Sequence, residues 1–295
     1  MKILVTGATG YVGSRVARRL IERGDRVTGV IRAPERAKAL PQGVEPLIAD
    51  LADVDRLVEA ATGVDAVLHT GFASHGADWF AAVELERVLV ERMARALAGS
   101  ATRLVVANGT AFYGDVPGLA TEAQPVSPSP FAVRAEATAA ATTTPSLNGV
   151  ELRLASFVHG HGGSIFVPAL VKVARDTGRA IYVGAGDNQL SAVHVDGAAR
   201  AFVAATDRGR GIYHIASDEA LTMRDLAVAL GEGAGASPTS VTLDEAAALT
   251  DPFTAQFLTV NNGLDATRAK ADLAWSDVGD PSLRWDVSEG SYAVR

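Results

Sequence analysis

An α/β fold, in which a parallel sheet carries helices on both faces, is what this 295-residue sequence predicts. Three observations carry the expectation. Short runs rich in Val, Ile and Leu alternate with longer helix-period stretches through the first half, the pattern of successive β-α-β units. Those runs are apolar almost without interruption, as strands buried on both faces must be. A glycine-punctuated segment, TGATGYVG (Thr6–Gly13), separates the first such run from the first helical stretch.

In chain order, strands are read at KILVT (Lys2–Thr6), RVTGVI (Arg26–Ile31), VEPLIA (Val44–Ala49), VDAVLH (Val64–His69), RLVVA (Arg103–Ala107) and VELRLAS (Val150–Ser156). The helices between them fall at Tyr11–Arg23, Pro34–Leu40, Val54–Ala61, within Asp78–Ala98, and after Pro130. Beyond about Gly160 the elements shorten. A helix is expected at Ile165–Thr177, strands at Ala180–Val183, Ser191–Val195 and Gly211–Ala216, and helices at Asp196–Thr206, Leu221–Leu230 and Leu243–Leu249, followed by loops. The sequence has no internal repeat and no low-complexity linker. The division expected is a first domain over residues 1–160 and a smaller, interleaved C-terminal substrate-binding lobe over residues 161–295.

Composition narrows the function. With 48% hydrophobic and 21% charged residues the chain is ordinary for a globular protein, and no apolar run reaches the ~20 residues a bilayer demands. The opening MKILVTGATG enters a strand directly, so a cytoplasmic location is expected. The absence of cysteine removes disulfides, thiolate nucleophiles and thiolate-bound metals together. Of the six histidines, His69, His75, His159, His161, His194 and His214, only His159 and His161 are close in sequence, and no acid stands beside them, so no metal is expected. A net charge of −7 disfavours nucleic acid as a partner. The expected partner is a small molecule.

The glycine segment has the context that gives such a motif meaning, a strand before it and a helix after it. Gly7 would turn the chain tightly, Gly10 would let backbone N–H groups approach a pyrophosphate, and Gly13 would let the helix lie close on the sheet. With Thr9, Tyr11 and Val12 these residues form the expected phosphate-binding set of a Rossmann-like domain. At the end of the second strand the chain reads VIRAPERAK, with Arg32 where an NAD-binding site would carry a carboxylate. Arg32 can form a charge-assisted bond with a 2′-phosphate, so NADP(H) is favoured over NAD(H). Asp50 and Leu51 follow the third strand, where they would meet the adenine; an Asp capping the next helix would look the same. Thr70 and Gly71, after the fourth strand, would lie against the cofactor's ribose.

With TGATGYVG, Asp50–Leu51, NGTAFYG (Asn108–Gly114), LRLASFVHGHGG (Leu152–Gly163) and Tyr182–Phe202 in this order, the chain resembles the short-chain dehydrogenase/reductase superfamily. It is similar in particular to the extended or atypical branch related to NAD-dependent epimerases/dehydratases. The resemblance implies a Ser or Thr near the end of the fifth strand and a YxxxK pair on the next long helix, the Lys lowering the Tyr pKa for proton transfer. Here the hydroxyl position falls on Gly109, with Thr110 one place later, and the YxxxK frame falls on Phe131 and Ala135. A frame shifted by one gives Pro130 and Arg134, similar to the HxxxR pair of some atypical members.

Arg134 could bind a ribose hydroxyl or steady an oxyanion, but a guanidinium does not release a proton near neutral pH. Arg134 and Glu136 read equally well as surface residues of an Ala-rich helix. Thr110 could position a carbonyl oxygen. Tyr113 is chemically apt, although the resemblance implies that it packs beside the site. His159 lies after the sixth strand, where the nicotinamide end is expected, and His161 and His194 could face the same cleft. Phe72, Phe112, Phe157 and Phe166 would line that cleft, or serve as plain core.

The function expected from this reading is NADPH-dependent reduction of a small apolar carbonyl, imine or activated alkene without the Tyr-Lys pair. Two alternatives stay open. One is a redox-neutral epimerase-, dehydratase- or cyclase-like enzyme that keeps the dinucleotide; the other is a non-catalytic NADP(H)-binding sensor. The resemblance also implies a homodimer through the long helices after the fourth and fifth strands.

Overall fold

Consecutive apolar residues send side chains to both faces of a central sheet, and helices cover each face. The fold comes from a computed structural model that describes residues 1–73, 78–129 and 131–293; His75 and Pro130 lie outside the described residues. The first half runs β1 (Lys2–Thr6), α1 (Tyr11–Glu22), β2 (Arg26–Ile31), β3 (Glu45–Ile48), α2 (Val54–Thr62), β4 (Ala66–His69), α3 (Trp79–Leu97), β5 (Arg103–Asn108), β6 (Leu119–Ala120), α4 (Ala132–Thr138), α5 (Ala140–Thr143) and β7 (Asn148–Leu154). The second half runs β8 (Phe157–His159), α6 (Phe166–Thr177), β9 (Arg179–Val183), β10 (Gln189–Leu190), β11 (Ala192–His194), α7 (Val195–Ala205), β12 (Gly211–Ile215), β13 (Leu221–Thr222), α8 (Met223–Ala234), β14 (Ser237–Val241), α9 (Leu243–Leu249), α10 (Pro252–Phe257), β15 (Gly263–Leu264), α11 (Thr267–Asp272) and α12 (Leu283–Ser288).

The central sheet has seven strands in the order β3-β2-β1-β4-β5-β7-β12. All of its pairings are parallel. This is the Rossmann-like doubly wound arrangement. Strand order reverses between β1 and β4, and Thr6 pairs with His69, so both strands end level and open a crevice at their carboxyl ends. Along β1, Ile3 and Val5 face a core shared with Val16 and Leu20 of α1 and Phe202 of α7. Leu4 faces the opposite core, with Leu57 of α2 and Leu89 and Met93 of α3. A separate core in the C-terminal part joins Phe157, Leu170, Leu226, Leu230, Phe257 and Leu283.

The structure departs from the sequence expectations in four places. Pro34–Ala39 is a 3-10 helix, whose exposed residues give it no apolar face to bury. The helix after position 130 is two short pieces that abut at Ala139 and end in a run of threonines, poor helix formers. Gly211–Ile215 is not a lobe strand but the edge of the central sheet, beside β7. Past Leu249 the chain holds α10, β15, α11 and α12 where loops were expected, β14 fills the stretch before α9, and α10 and α12 are capped by the side chains of Asp251 and Ser282.

Candidate functional site

The first turn is packed so tightly that only glycine fits. Gly7 has φ +71°, and a Cβ on it would stand 2.7 Å from the Gly71 nitrogen. A Cβ on Gly13 would overlap the Gly7 carbonyl oxygen and stand 2.5 Å from Thr70 Oγ1. Gly10 differs, since a Cβ there meets only the Gly7 oxygen, at 3.1 Å, and otherwise points to open space. Gly10 is the N-cap of α1 and supplies no capping side chain, so the first amides of the helix, at Tyr11, Val12 and Gly13, face outward for an anion. Thr9 is half-buried beside them. The cradle fits a pyrophosphate.

Around it, Thr70 Oγ1 donates to the Thr6 carbonyl at 2.7 Å, which joins the ends of β1 and β4. Leu51 Cδ1 reaches the space over Gly71, within 3.4 Å of a Cβ built there. Asp50 is exposed, and its Oδ1 accepts the Ala52 amide at 3.0 Å, so it braces the turn before α2 while its second oxygen stays open. Arg32 is exposed just past β2 and forms no ion pair among the described residues. Tyr11 donates to the Gly160 carbonyl at 2.7 Å, which ties the start of α1 to the loop after β8.

At the proton-transfer positions the chain is apolar. Gly109 is exposed, with nothing within 4 Å of a Cβ. Phe131 and Ala135 are each 7% exposed. Thr110 is buried, its hydroxyl 3.4 Å from the Leu154 carbonyl and 3.4 Å from Ser156 Oγ, while its carbonyl accepts from Asn262 at 2.9 Å. It therefore ties the turn after β5 to the end of β7 and to Asn262.

Arg134 is neither free nor a surface residue. Its Nε lies 2.6 Å from Glu86 Oε2 and its Nη2 donates to Glu86 Oε1 at 2.9 Å. The guanidinium lies 3.9 Å over the Phe72 ring, a cation–π contact. Nη1 has no hydrogen-bond partner among the described residues. Glu86, on α3, is a site residue that the sequence reading missed. Burial pushes its carboxyl up to about 7, against the pull of Arg134. His69 Nε2 stands 3.8 Å from the same carboxylate, and its Nδ1 bonds Thr6 Oγ1 at 2.8 Å. Burial, with help from Arg134, lowers the His69 pKa to about 4, so its imidazole is neutral.

The remaining proton-donor candidates are engaged elsewhere. Tyr113 is buried; its hydroxyl accepts from Arg153 at 2.5 Å and pairs with His214 Nε2 at 2.7 Å. Because His214 Nδ1 lies 3.2 Å from the Ala120 carbonyl and donates to it, Tyr113 is the donor to Nε2. Its proton is committed. His159 is 1% exposed and pairs through Nδ1 with Asp286 of α12 at 2.9 Å, so it anchors the C-terminal helix and is not presented to the cleft. His161 and His194 face Asp196 at the start of α7.

The aromatic wall also differs from expectation. Phe112 and Phe157 are core, 1% and 2% exposed. Phe72 packs edge-on against Trp79 at 5.3 Å, Trp79 against Phe253 at 5.4 Å, and Phe253 against Phe131 at 5.2 Å and Phe166 at 6.5 Å. Trp79 and Phe253 come from α3 and α10 and have no neighbouring motif to announce them.

The chain as a whole is similar to known proteins. Residues 3–216 match the model of the NAD dependent epimerase/dehydratase family. Uncharacterized protein C2A9.02 of Schizosaccharomyces pombe is 31% identical over 99% of this chain and 100% of its own. The 2-alkyl-3-oxoalkanoate reductase of Stenotrophomonas maltophilia is 33% identical over 80% of this chain and 76% of its own. Among solved structures, UDP-glucuronic acid 4-epimerase from Bacillus cereus in complex with NAD has a TM-score of 0.77 and 20% identity, covering 99% of this chain and 96% of that one. A dinucleotide turn of this geometry at the reversal of this sheet, with the family match along most of the chain, places the protein in the NAD dependent epimerase/dehydratase family of extended short-chain dehydrogenases/reductases.

Proposed function

We propose that the protein is an NADPH-dependent reductase of a small, apolar, electron-poor substrate, a carbonyl, imine or activated alkene, that needs no Tyr-Lys pair. The observation that carries this reading is the combination of an intact glycine cradle with Gly109, Phe131 and Ala135 at the proton-transfer positions. When bound, the dinucleotide supplies the hydride. Gly7, Gly10, Gly13, Thr70 and Gly71 would hold it, with Asp50 and Leu51 at the adenine.

The protein's own part is orientation and electrostatics. Glu86 neutralises Arg134 and holds its plane against Phe72, leaving Nη1 to meet a substrate oxygen. Phe72, Trp79, Phe131 and Phe253 shed water and, apart from the single indole N–H of Trp79, offer no polar group to the hydroxyls of a sugar. Such a site suits a substrate whose product anion is delocalised and takes its proton from water. The name of the S. maltophilia relative, a reductase, agrees with this direction. Arg32, exposed with no carboxylate at the end of β2, supports NADPH over NADH. A homodimer through α3 and the α4–α5 pair belongs to the same proposal and is checked by light scattering.

The test is fluorescence titration with NADPH and NADH, followed by absorbance of the reduced nicotinamide during addition of ketones, imines and enones. NADPH binding with oxidation by a panel member supports the reductase. Tight binding without oxidation moves the reading to a redox-neutral enzyme or a sensor, and preference for NADH overturns the role given to Arg32.

A further inference from the structure

In sequence His161 has no acidic neighbour, but folding brings one. Its Nε2 lies 2.9 Å from Asp196 Oδ2, and His194 Nδ1 lies 3.8 Å from the same oxygen. One donor atom from each of the three residues lies within 4.8 Å of the other two. Ligands bound to Zn²⁺ at about 2.0–2.2 Å in a tetrahedron stand roughly 3.3–3.6 Å apart. The two observed separations bracket that spacing; a small rotation of the exposed His161 ring would lengthen the shorter one, and a small turn of the Asp196 carboxylate would shorten the longer.

We propose that His161, His194 and Asp196 form a site for a divalent transition-metal ion, bound through two imidazole nitrogens and one carboxylate oxygen with its outer face open to water. This donor set suits Zn²⁺ and its first-row neighbours rather than Mg²⁺ or Ca²⁺, which call for oxygen ligands throughout. The site shares no residue with the dinucleotide cradle or the aromatic wall.

The surroundings hold the ligands in place. Gly160 has φ +117°, and a Cβ on it would collide with His194 Nε2, so glycine is what lets the His194 ring seat against the loop. His161 itself adopts φ +54°, a left-handed turn that aims its ring at Asp196.

Two interactions must yield, the first being the hydrogen bond between His161 Nε2 and Asp196 Oδ2, whose proton leaves when the metal takes its place. His194 Nδ1 accepts the Asp196 amide at 3.2 Å as the cap of α7, and a metal on that lone pair displaces the bond. It also brings positive charge to the amino end of a helix. The Asp196 carboxylate answers that charge directly, since it is both a ligand and a first-turn residue. Binding would then clasp the 160–163 loop to α7, and through the Gly160 carbonyl that loop already holds Tyr11.

The experiment is isothermal titration of the full chain, stripped with chelator and dialysed, with Zn²⁺ alone. The result expected is one ion per chain, bound more weakly by about tenfold or more in His161→Ala and in Asp196→Asn. Both side chains are at least partly exposed, so the variants should keep the parent's thermal midpoint and NADPH affinity without metal. Co²⁺ in place of Zn²⁺ should give ligand-field absorption in the visible that is absent from His161→Ala. No ion bound by the parent chain, or equal binding by parent and both variants, overturns the site.

Discussion

The glycine turn can be made to separate folding from binding. In Gly13→Ala the new Cβ stands 2.5 Å from Thr70 Oγ1, where ordinary contact begins at 3.4 Å, and it overlaps the Gly7 carbonyl as well. Relief takes about 1 Å of movement, at the Gly7 backbone on one side and the Thr70 side chain on the other, an overpacking that costs about 1–3 kcal/mol. It also pulls Thr70 Oγ1 from the Thr6 carbonyl, now at 2.7 Å, for about 1 kcal/mol more. The expected loss is therefore about 3 kcal/mol in urea unfolding.

Gly10→Ala should behave in the opposite way. Its backbone, φ −81° and ψ 174°, is one that alanine adopts, and the methyl meets only one atom within 4 Å. Stability should fall by about 1 kcal/mol or less, the usual difference between Gly and Ala at an N-cap. The methyl does fill the approach to the α1 amides. Losing one hydrogen bond to a charged phosphate, about 1.5–3 kcal/mol, weakens NADPH binding roughly 10- to 100-fold. The assays are urea unfolding followed by circular dichroism and NADPH fluorescence titration on the same samples. Unchanged affinity in Gly10→Ala would refute the cradle, and parental stability in Gly13→Ala would refute the packing.

Other consequences follow from the buried charges and the vacated positions. Gly109→Ser should change stability by less than about 0.5 kcal/mol, since nothing lies within 4 Å of its Cβ, while Ala135→Lys, at a 7% exposed position, should lose about 3 kcal/mol in the same unfolding assay. Arg134→Met leaves Glu86 buried without its partner and should cost about 3 kcal/mol, with much of the loss recovered in Arg134→Met/Glu86→Leu; the absence of recovery would mean that the pair is not what the single variant breaks. His69 binds a proton near pH 4 when folded and near 6.5 when unfolded, so its own share of stability falls by about 3 kcal/mol on acidification from 6.5 to 4, while Glu86, raised to about 7, contributes a gain of similar size over much of that range; His69→Gln should therefore turn a nearly flat curve into one that rises toward acid.

What the sequence disclosed and what it withheld divide along physical lines. β1, β2 and the glycine turn were legible because their signals are local: a run of apolar residues, then glycines at set spacing before a helix. The Arg134 partner was not, because Glu86 lies 48 residues away on α3 and reads there as one acid among several on an amphipathic helix. His159 looked like a cleft residue until Asp286, 127 residues on, turned up beside it. Trp79 and Phe253 reach the wall only through the packing of α3 with α10. The missed helix α10 did carry a signal, an Asp followed by Pro at the first helical position, and α12 carried a Ser cap.

The loop after β8 is held at once by two tyrosines far apart in the sequence. Tyr292 accepts the Gly160 amide at 2.8 Å and donates to the Gly163 carbonyl at 2.7 Å, while Tyr11 takes the carbonyl of Gly160. During synthesis, then, the residues that form the dinucleotide turn gain this brace only once Tyr292 has been added, and a fusion or nick near residue 290 would be felt at residue 11.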